Sequence, residues 1–195
     1  MTTQTFVFFG IIGSGKGTQV KLLMDYIKSK DTKESLYAGT GEEFRRLINS
    51  GNYTSNIVKE SLLKGELQPD FLTTTLFTNI LIGSIKEDVH LFADGYPRTV
   101  FQSENFDSMM KFFKRDNVKI IYIKLSGEEA IKRNLLRGRE DDTKEGLEKR
   151  IQEYFTNVIP AMDYFKEKVG YEIFSIDGEQ SIEKVHEDII NSINL

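Results

Sequence analysis

Residues 5–18 have the sequence TFVFFGIIGSGKGT, a short apolar run followed directly by a glycine-rich loop with one lysine. The apolar run predicts a buried β-strand over Thr5–Phe9, and an apolar stripe predicts a helix over Lys16–Ser29. A glycine-rich loop between a strand and a helix lets successive backbone amides face a phosphate, and the helix N-terminus adds partial positive charge. The segment therefore predicts a site for the phosphates of a nucleoside triphosphate.

The alternation of short apolar runs and helical patterns continues to the end of the chain. Further strands are predicted at 36–38, 91–94, 119–125 and 171–176, and one of the helices, over 143–168, is expected to bend near Pro160. Such alternation predicts an α/β fold with a five-stranded parallel sheet flanked by helices. Ligands in such folds bind beyond the carboxyl ends of the strands, so the loops there are the candidates for function.

The composition limits the chemistry that the chain can perform. Its 195 residues contain no cysteine and only two histidines, which excludes disulfides, thiolate nucleophiles and cysteine-based zinc sites. A net charge of −4 argues against a protein that coats a polyanion. The sequence also shows neither a signal-peptide pattern nor an apolar run of membrane-spanning length, so we expect a soluble intracellular domain.

Two loops after predicted strands carry side chains suited to phosphate chemistry. In the first, Lys16 can reach the β- and γ-phosphates, and the Thr18 hydroxyl can bind Mg²⁺, although Gly17 separates the two. In the second, residues 94–99 have the sequence DGYPRT, in which Asp94 can hold the hydration shell of Mg²⁺ and Arg98 can pair with a phosphate. Alone, DGYPRT would equally suit a tight surface turn.

Arginines are scarce in the chain and concentrated on these segments. There are eight arginines against 18 lysines, and five lie on candidate motifs: Arg45, Arg98, Arg137, Arg139 and Arg150. Transfer of a phosphoryl group between two polyphosphates requires many cations around the dispersed negative charge. The competing interpretation of the RGREDD stretch at 137–142 is a solvated, salt-bridged turn between two helices.

Together these motifs resemble those of the adenylate kinases and their nucleoside monophosphate kinase relatives, over nearly all of residues 6–193. The phosphate loop is similar to the pattern G-x-x-G-x-G-K-G-T-Q, with Ile12 where the family usually has proline. The resemblance implies catalytic roles for Lys16, Arg98, Arg137, Arg139 and Arg150. It implies ATP contacts from Gly13, Ser14, Gly15, Lys16, Gly17, Thr18, Arg137 and Gln180, and Mg²⁺ contacts, through water, from Thr18 and Asp94.

The acceptor side carries the same resemblance. Gly39-Thr40-Gly41 with Arg45 is similar to the family's S-T-G-D-x-x-R, and residues 94–99 are similar to D-G-F-P-R-T. The AMP contacts implied are Thr40, Arg45, Glu66, Leu67, Gln68, Gly95, Tyr96, Pro97, Arg98, Gln102, Arg139 and Arg150. The implied reaction is reversible transfer of a phosphoryl group from Mg·ATP to AMP, giving two ADP.

The resemblance also implies how the single domain is organised. A P-loop core of residues 1–38, 69–135 and 143–195 would carry a helical AMP-binding insertion at 39–68 and a short lid at 136–142. Mg²⁺ with ATP is the expected cofactor, without structural zinc. We expect a cytoplasmic monomer whose partners are ATP, AMP and ADP, with no nucleic-acid polymer and no membrane.

Other functions and roles remain open at this stage. A UMP/CMP kinase is opposed by Thr40 and Gln102, where that relative typically resembles Ala and Asn, and a regulatory nucleotide-binding module would not need two phosphate sites. A GTPase is disfavoured because no N-K-x-D segment is present. We expect His90 and His186 to be ordinary surface or junction residues. The expected packing residues are Phe8, Phe9, Phe71, Phe77, Phe112 and Phe113 in the core, and Ile57, Leu62 and Leu63 among the AMP-side helices.

Overall fold

A computed structural model describes residues 2–138 and 143–194 of the chain. Five strands form one sheet, and they are β1 (Thr5–Gly10), β2 (Ser35–Gly39), β3 (His90–Asp94), β4 (Val118–Lys124) and β5 (Tyr171–Asp177). Their order is β2–β3–β1–β4–β5, and every neighbouring pair is parallel. The predicted five-stranded parallel sheet is therefore confirmed, and its strands end at one common edge.

Helices connect the strands and cover both faces of the sheet. Within the described residues they are α1 (Lys16–Lys30), α2 (Thr40–Asn49), α3 (Tyr53–Leu63), α4 (Asp70–Ser84), α5 (Val100–Phe112), α6 (Gly127–Arg137), α7 (Lys144–Glu153), α8 (Ile159–Asp163) and α9 (Ile182–Ile193). A π-helical turn over Tyr154–Val158 joins α7 to α8. The helix predicted over 143–168 thus ends earlier, at Asp163, and its regular hydrogen bonding is interrupted just before Pro160, which has no amide hydrogen to donate.

The side chains of β1 alternate between two hydrophobic clusters. Phe6 and Phe8 pack with the buried faces of α1 and α9, whereas Val7 and Phe9 pack with α4, α5 and α8. A strand that buries both faces needs a continuous apolar sequence, which is why TFVFF predicts a buried strand. In the described part of the chain, no helix is both long and apolar enough to cross a bilayer.

A third, smaller cluster anchors the start of the loop after β1. Ile11 is fully buried against Ala130 of α6 and Tyr154 of the π-helical turn, and Ile12 packs against the same cluster. The ring of a proline would restrict the backbone at position 12 directly. Here the packing of two isoleucines restrains the same segment.

Some predictions for single side chains are wrong. Phe71 and Phe112 were expected in the core or in helix packing, but they are 72% and 79% exposed, while Phe77 and Phe113 pack against the core. Phe71 lies six residues before Phe77, which places the two side chains about 120° apart around α4. His90, expected near the surface, is fully buried because it begins β3 directly beside the N-terminal segment, where its Nδ1 accepts a hydrogen bond from the Gln4 amide.

Candidate active site

The loop after β1 has a backbone that only glycine can form at three positions. Gly10, Gly13 and Gly15 have φ values of +154°, +76° and +87°, in the region where a Cβ is disfavoured. A Cβ on Gly10 would also lie 2.7 Å from the Ile123 carbonyl oxygen of β4, and one on Gly13 would lie 2.5 Å from the Asn134 amide nitrogen of α6. The loop is thus packed between two elements, and Gly15 precedes α1 without a side chain that could compete with an anion for the first helical amides.

The ammonium group of Lys16 lies across this loop. Its Nζ donates hydrogen bonds to the carbonyl oxygens of Gly10 and Ile11, at 2.7 and 3.0 Å. Burial lowers the pKa of Lys16 to about 8; Asp94 partly opposes this effect, and the neighbouring Arg98 and Arg137 charges reinforce it. Lys16 is therefore a desolvated cation at the mouth of the loop, in a surrounding that favours an added anion.

Asp94 lies at the end of β3, beside the phosphate loop. It pairs in register with Gly39 of β2, and its Oδ2 lies 4.0 Å from the position that a Cβ on Gly17 would take. The Tyr37 hydroxyl donates a hydrogen bond to this Oδ2 at 3.1 Å. Thr18, the other predicted magnesium contact, lies one residue beyond Gly17 in the first turn of α1 and is exposed.

The loop after Asp94 is held by hydrogen bonds that converge on one carbonyl group. The Gly95 oxygen accepts from the Thr40 hydroxyl and from the Arg98 Nε, both at 2.9 Å. Gly95 has φ +78°, and a Cβ there would lie 2.6 Å from the Thr40 Oγ1. The bond between Tyr96 and Pro97 is cis. The two hydrogen bonds to Gly95 hold Thr40 of α2 and Arg98 of the loop itself at the same short segment.

A cavity of about 410 Å³ opens beside this segment, between α2, α3 and α4. Its size is in the range of small-molecule sites. It is lined by eight of the predicted AMP contacts: Thr40, Arg45, Glu66, Leu67, Gln68, Gly95, Arg98 and Gln102. Tyr96 does not line it; this side chain is buried, stacks on Phe77 with ring centroids 4.3 Å apart, and contacts the Thr74 hydroxyl.

Sequence analysis missed several residues that line the same cavity. Phe44, Ile48 and Lys59 belong to α2 and α3, and Leu62 and Leu63, expected to pack among helices, also face the cavity. Ile57, expected to pack with them, is 51% exposed. The spacing of Thr40, Phe44 and Ile48, four residues apart, is a signal that could have identified one lining face of α2.

The Gln102 side chain is held by two hydrogen bonds. Its Oε1 accepts from the Arg98 amide and its Nε2 donates to the Asp70 Oδ1, each at 2.8 Å. The Thr99 hydroxyl donates to the same carboxylate oxygen at 2.8 Å. Because Asp70 begins α4 and Gln102 lies in α5, this network ties both helices to the Arg98 loop and presents the amide at the cavity wall in one orientation.

The segment that closes one side of the cavity also contacts α7. Arg150 donates from Nη2 to the Leu62 carbonyl oxygen at 3.1 Å, and Lys149 pairs with Glu66 at 2.9 Å, which lowers the pKa of that carboxyl. Gly65 packs against Gly146 so closely that a Cβ on Gly65 would lie 2.4 Å from its oxygen. Helix α7 thus holds the α3–α4 connection in place.

Two further predicted cations lie at the end of α6 and in α7. Arg137 is exposed at the end of α6 and is close enough to Lys16 to lower its pKa, and the guanidinium pKa of Arg98, lowered mainly by burial, is lowered further by Arg150. Arg139 and the lid residues 139–142 lie outside the described residues.

The loop after β5 contacts α6 through an arginine that the sequence did not single out. Arg133 donates from Nη1 to the Gly178 carbonyl oxygen at 2.9 Å and pairs through Nε with Glu129. Gln180, the predicted ATP contact in this loop, donates from its side chain to the Asp177 carbonyl and to the Asp188 carboxylate. Its side chain is therefore engaged within the protein, which leaves the backbone to face a ligand.

Comparison with known proteins gives a consistent result. A family model described as adenylate kinase matches residues 8–170. The chain is 31% identical over 191 residues to an adenylate kinase of Azobacteroides pseudotrichonymphae genomovar. CFP2, covering 95% of both chains. It is 30% identical over 183 residues to an adenylate kinase of Prochlorococcus marinus (strain AS9601), with 94% of each chain covered. It is 29% identical over 220 residues to one of Thermosipho africanus (strain TCF52B), covering 96% of this chain and 98% of the relative.

Proposed function

The chain belongs to the adenylate kinase family and is a nucleoside monophosphate kinase, and we propose which residues bind ATP and which bind AMP when a phosphoryl group is transferred between them. ATP occupies the phosphate loop after β1, and AMP occupies the cavity between α2, α3 and α4. The observation that carries this proposal is the position of Arg98, which lines the cavity and is also close enough to Lys16 to lower its pKa.

On the ATP side, the amides of Gly13, Gly15 and Gly17 surround the β-phosphate, and Lys16 exchanges its bonds to loop carbonyls for the phosphate oxygens. The low pKa of the desolvated ammonium supports this exchange, because an anion restores the charge compensation that burial removed. Arg137 supplies a further cation, and the backbone of Gln180 contacts the adenine. Ser14, buried beneath the loop, supports its curvature.

On the AMP side, Arg45 and Arg98 bind the phosphate, and Thr40 and Gln102 contact the adenine. Glu66, Leu67 and Gln68 contribute the wall formed by the α3–α4 connection, while Gly95, Tyr96 and Pro97 shape the loop that carries Arg98. Arg150 reaches the transferring phosphoryl group from α7, and Arg139 approaches from the lid. The cavity lining supports the assignments of Arg45, Arg98, Thr40 and Gln102, and those of the wall residues 66–68 and Gly95.

The residues beside the phosphate loop fit a magnesium ion. Asp94 and Thr18 offer oxygen donors, the donor type that Mg²⁺ prefers, and a single carboxylate leaves the other coordination positions to water and phosphate. When bound with ATP, Mg²⁺ would supply positive charge that neutralises the phosphates during transfer. Thr18 and Asp94 would hold it there, Asp94 through water.

The reaction needs no general base, because the AMP phosphate is already anionic at neutral pH. The protein therefore acts by alignment and charge neutralisation, through Lys16 and the arginines. Water must be excluded, since it would otherwise accept the phosphoryl group. The insertion at 39–68 and the lid at 136–142 are the proposed closing parts around a core of 1–38, 69–135 and 143–195.

An acceptor panel tests the substrate assignment. The protein is incubated with Mg·ATP and AMP, CMP, UMP or GMP, and the diphosphates formed are quantified. We expect ADP from AMP and much less product from the other acceptors. Conversion of CMP or UMP without conversion of AMP would instead assign the chain to the UMP/CMP kinases. No conversion, together with binding of ATP but not of a bisubstrate dinucleotide, would indicate a regulatory module.

Two broader properties belong to the same proposal. We propose a monomeric state on the family likeness alone, and a cytoplasmic location, which the absence of cysteine from the sequence supports. Size-exclusion chromatography with light scattering measures the first, and cell fractionation measures the second. A dimer mass in solution or recovery in a membrane fraction would contradict them.

A further inference from the structure

A tyrosine outside the motifs contacts the carboxylate of Asp94. Tyr37 lies in β2, two residues before Gly39, so both positions are on the same face of the strand. The Tyr37 ring packs against the cluster between the sheet, α1 and α9, and its hydroxyl donates a hydrogen bond to the Asp94 Oδ2 at 3.1 Å. Since Gly39, not Tyr37, pairs in register with Asp94, the side chain must extend along its own strand to make this contact.

This path is open only because residue 39 has no side chain. A Cβ on Gly39 would lie 2.4 Å from both Cζ and Oη of Tyr37. The backbone of Gly39 has φ −106° and ψ 106°, an ordinary extended conformation that any residue adopts. Glycine is therefore needed at this position because the Tyr37 ring occupies the space that a Cβ would fill. Tyr37 and Gly39 thus act as a pair.

We propose that Tyr37 is a positioning residue for Asp94, and that Gly39 is the partner that makes this role possible. The hydroxyl occupies one oxygen of Asp94 and fixes the carboxylate beside Gly17 of the phosphate loop, which leaves the second oxygen for a water bound to the magnesium ion. The inference rests on the proposed role of Asp94 toward magnesium. It adds a residue that directs that carboxylate from β2, the neighbour of β3 on the side away from β1.

The test measures how much Mg²⁺ improves ATP binding, by calorimetry with and without the metal, in Tyr37→Phe and in wild type. We expect the improvement to fall about tenfold in Tyr37→Phe, the usual effect of losing a hydrogen bond to a charged group. The Mg²⁺ concentration for half-maximal kcat should rise similarly, while KM for AMP stays unchanged. Both readouts concern the metal, so a merely structural role of Tyr37 would not alter them selectively.

Tyr171→Phe is the matched control. The Tyr171 hydroxyl donates to the Asp107 Oδ1 at 3.0 Å, so this variant also removes a bond from tyrosine to aspartate. Tyr171 begins β5, at the end of the sheet away from the phosphate loop, and the response to Mg²⁺ should remain that of wild type. An equal loss in Tyr171→Phe and Tyr37→Phe would overturn the proposal.

Asp94→Asn separates failure of this inference from failure of the proposed magnesium role. If Asp94→Asn loses the response to Mg²⁺ but Tyr37→Phe retains it, Tyr37 does not position the carboxylate and the inference is wrong. If Asp94→Asn itself retains the response, the magnesium role of Asp94 is wrong and the inference falls with it.

A double-mutant cycle tests the pair. Gly39→Ala should reduce the response to Mg²⁺ in the wild-type background, because the new Cβ displaces the tyrosine ring. In a Tyr37→Ala background the same change meets no ring and should cause no further loss. Equal effects of Gly39→Ala in both backgrounds would overturn the spatial part of the proposal, whatever the stability of either variant.

Discussion

Replacement of Gly65 by alanine should weaken AMP binding selectively, because this glycine lies where the α3–α4 connection contacts α7. Its φ is +73°, and an added Cβ would lie 2.4 Å from the carbonyl oxygen of Gly146. Ordinary contact between such atoms begins near 3.4 Å, so the two backbones must separate by about 1 Å. That movement lengthens the hydrogen bond from Arg150 to the Leu62 carbonyl, now 3.1 Å, beyond bonding distance.

The chain offers a matched control at Gly51. Gly51 has φ +66° in the same helical insertion, but a Cβ there would have no atom within 4 Å among the described residues. A Cβ in this left-handed conformation costs about 1–2 kcal/mol at either position. Both variants should therefore lose about 1–2 kcal/mol of unfolding free energy for this reason, and only Gly65→Ala should also displace the cavity wall.

Initial-rate kinetics with each substrate varied in turn provide the assay, and urea unfolding gives the stability comparison. Loss of a hydrogen bond from a half-buried arginine should raise KM for AMP about tenfold in Gly65→Ala, with KM for ATP nearly unchanged. Gly51→Ala should leave both KM values near wild type. The reasoning is refuted if the two variants share the same KM for AMP.

Two further predictions follow from buried titratable groups. Lys16→Met should lower kcat about 100- to 1000-fold but leave the unfolding midpoint unchanged or raised, because it removes a desolvated charge. ADP formation measures kcat, and urea unfolding measures the midpoint. A strongly lowered midpoint would contradict this prediction. Burial lowers the pKa of His90, so at mildly acidic pH the unfolded chain binds more protons than the folded protein. The free energy of unfolding therefore falls as the pH drops below about 6.5. His90→Gln should flatten that fall between about pH 6.5 and 5, and an unchanged slope would count against it.

The sequence was sufficient to predict the sheet and the edge where the site lies. Apolar runs such as TFVFF at 5–9 identify strands that bury both faces, and alternation with helices leaves a parallel sheet as the simplest arrangement. Lys16, Asp94 and Arg98 follow such runs directly, so local order along the chain already assigns them to one edge. Their distances from one another depend on strand order, which local sequence does not specify.

What the sequence did not predict depends on contacts between distant segments. Phe112 and Phe113 are equal in local pattern, and the packing of α5 alone decides that Phe112 is the exposed one. His90 is buried because Gln4 and Asp31 lie beside it, although they are far away in sequence. Arg133 likewise reaches Gly178 across 45 residues. Such roles require the partner to be known before the residue can be interpreted.

The cations of the site are arranged at an electrostatic cost that substrate binding removes. Burial is the main cause that lowers the pKa of Lys16 and of Arg98; the charges of Arg98 and Arg137 at Lys16, and of Arg150 at Arg98, lower it further, so these groups repel one another. Asp94 opposes the lowering at both cations, but burial keeps both pKa values below their usual range. Because repulsion disfavours bringing these groups closer without a ligand, the phosphates of ATP and AMP should themselves stabilise the closed arrangement. In the proposed mechanism, the same charges that neutralise the transferring phosphoryl group thus couple closure of the site to occupation by both nucleotides.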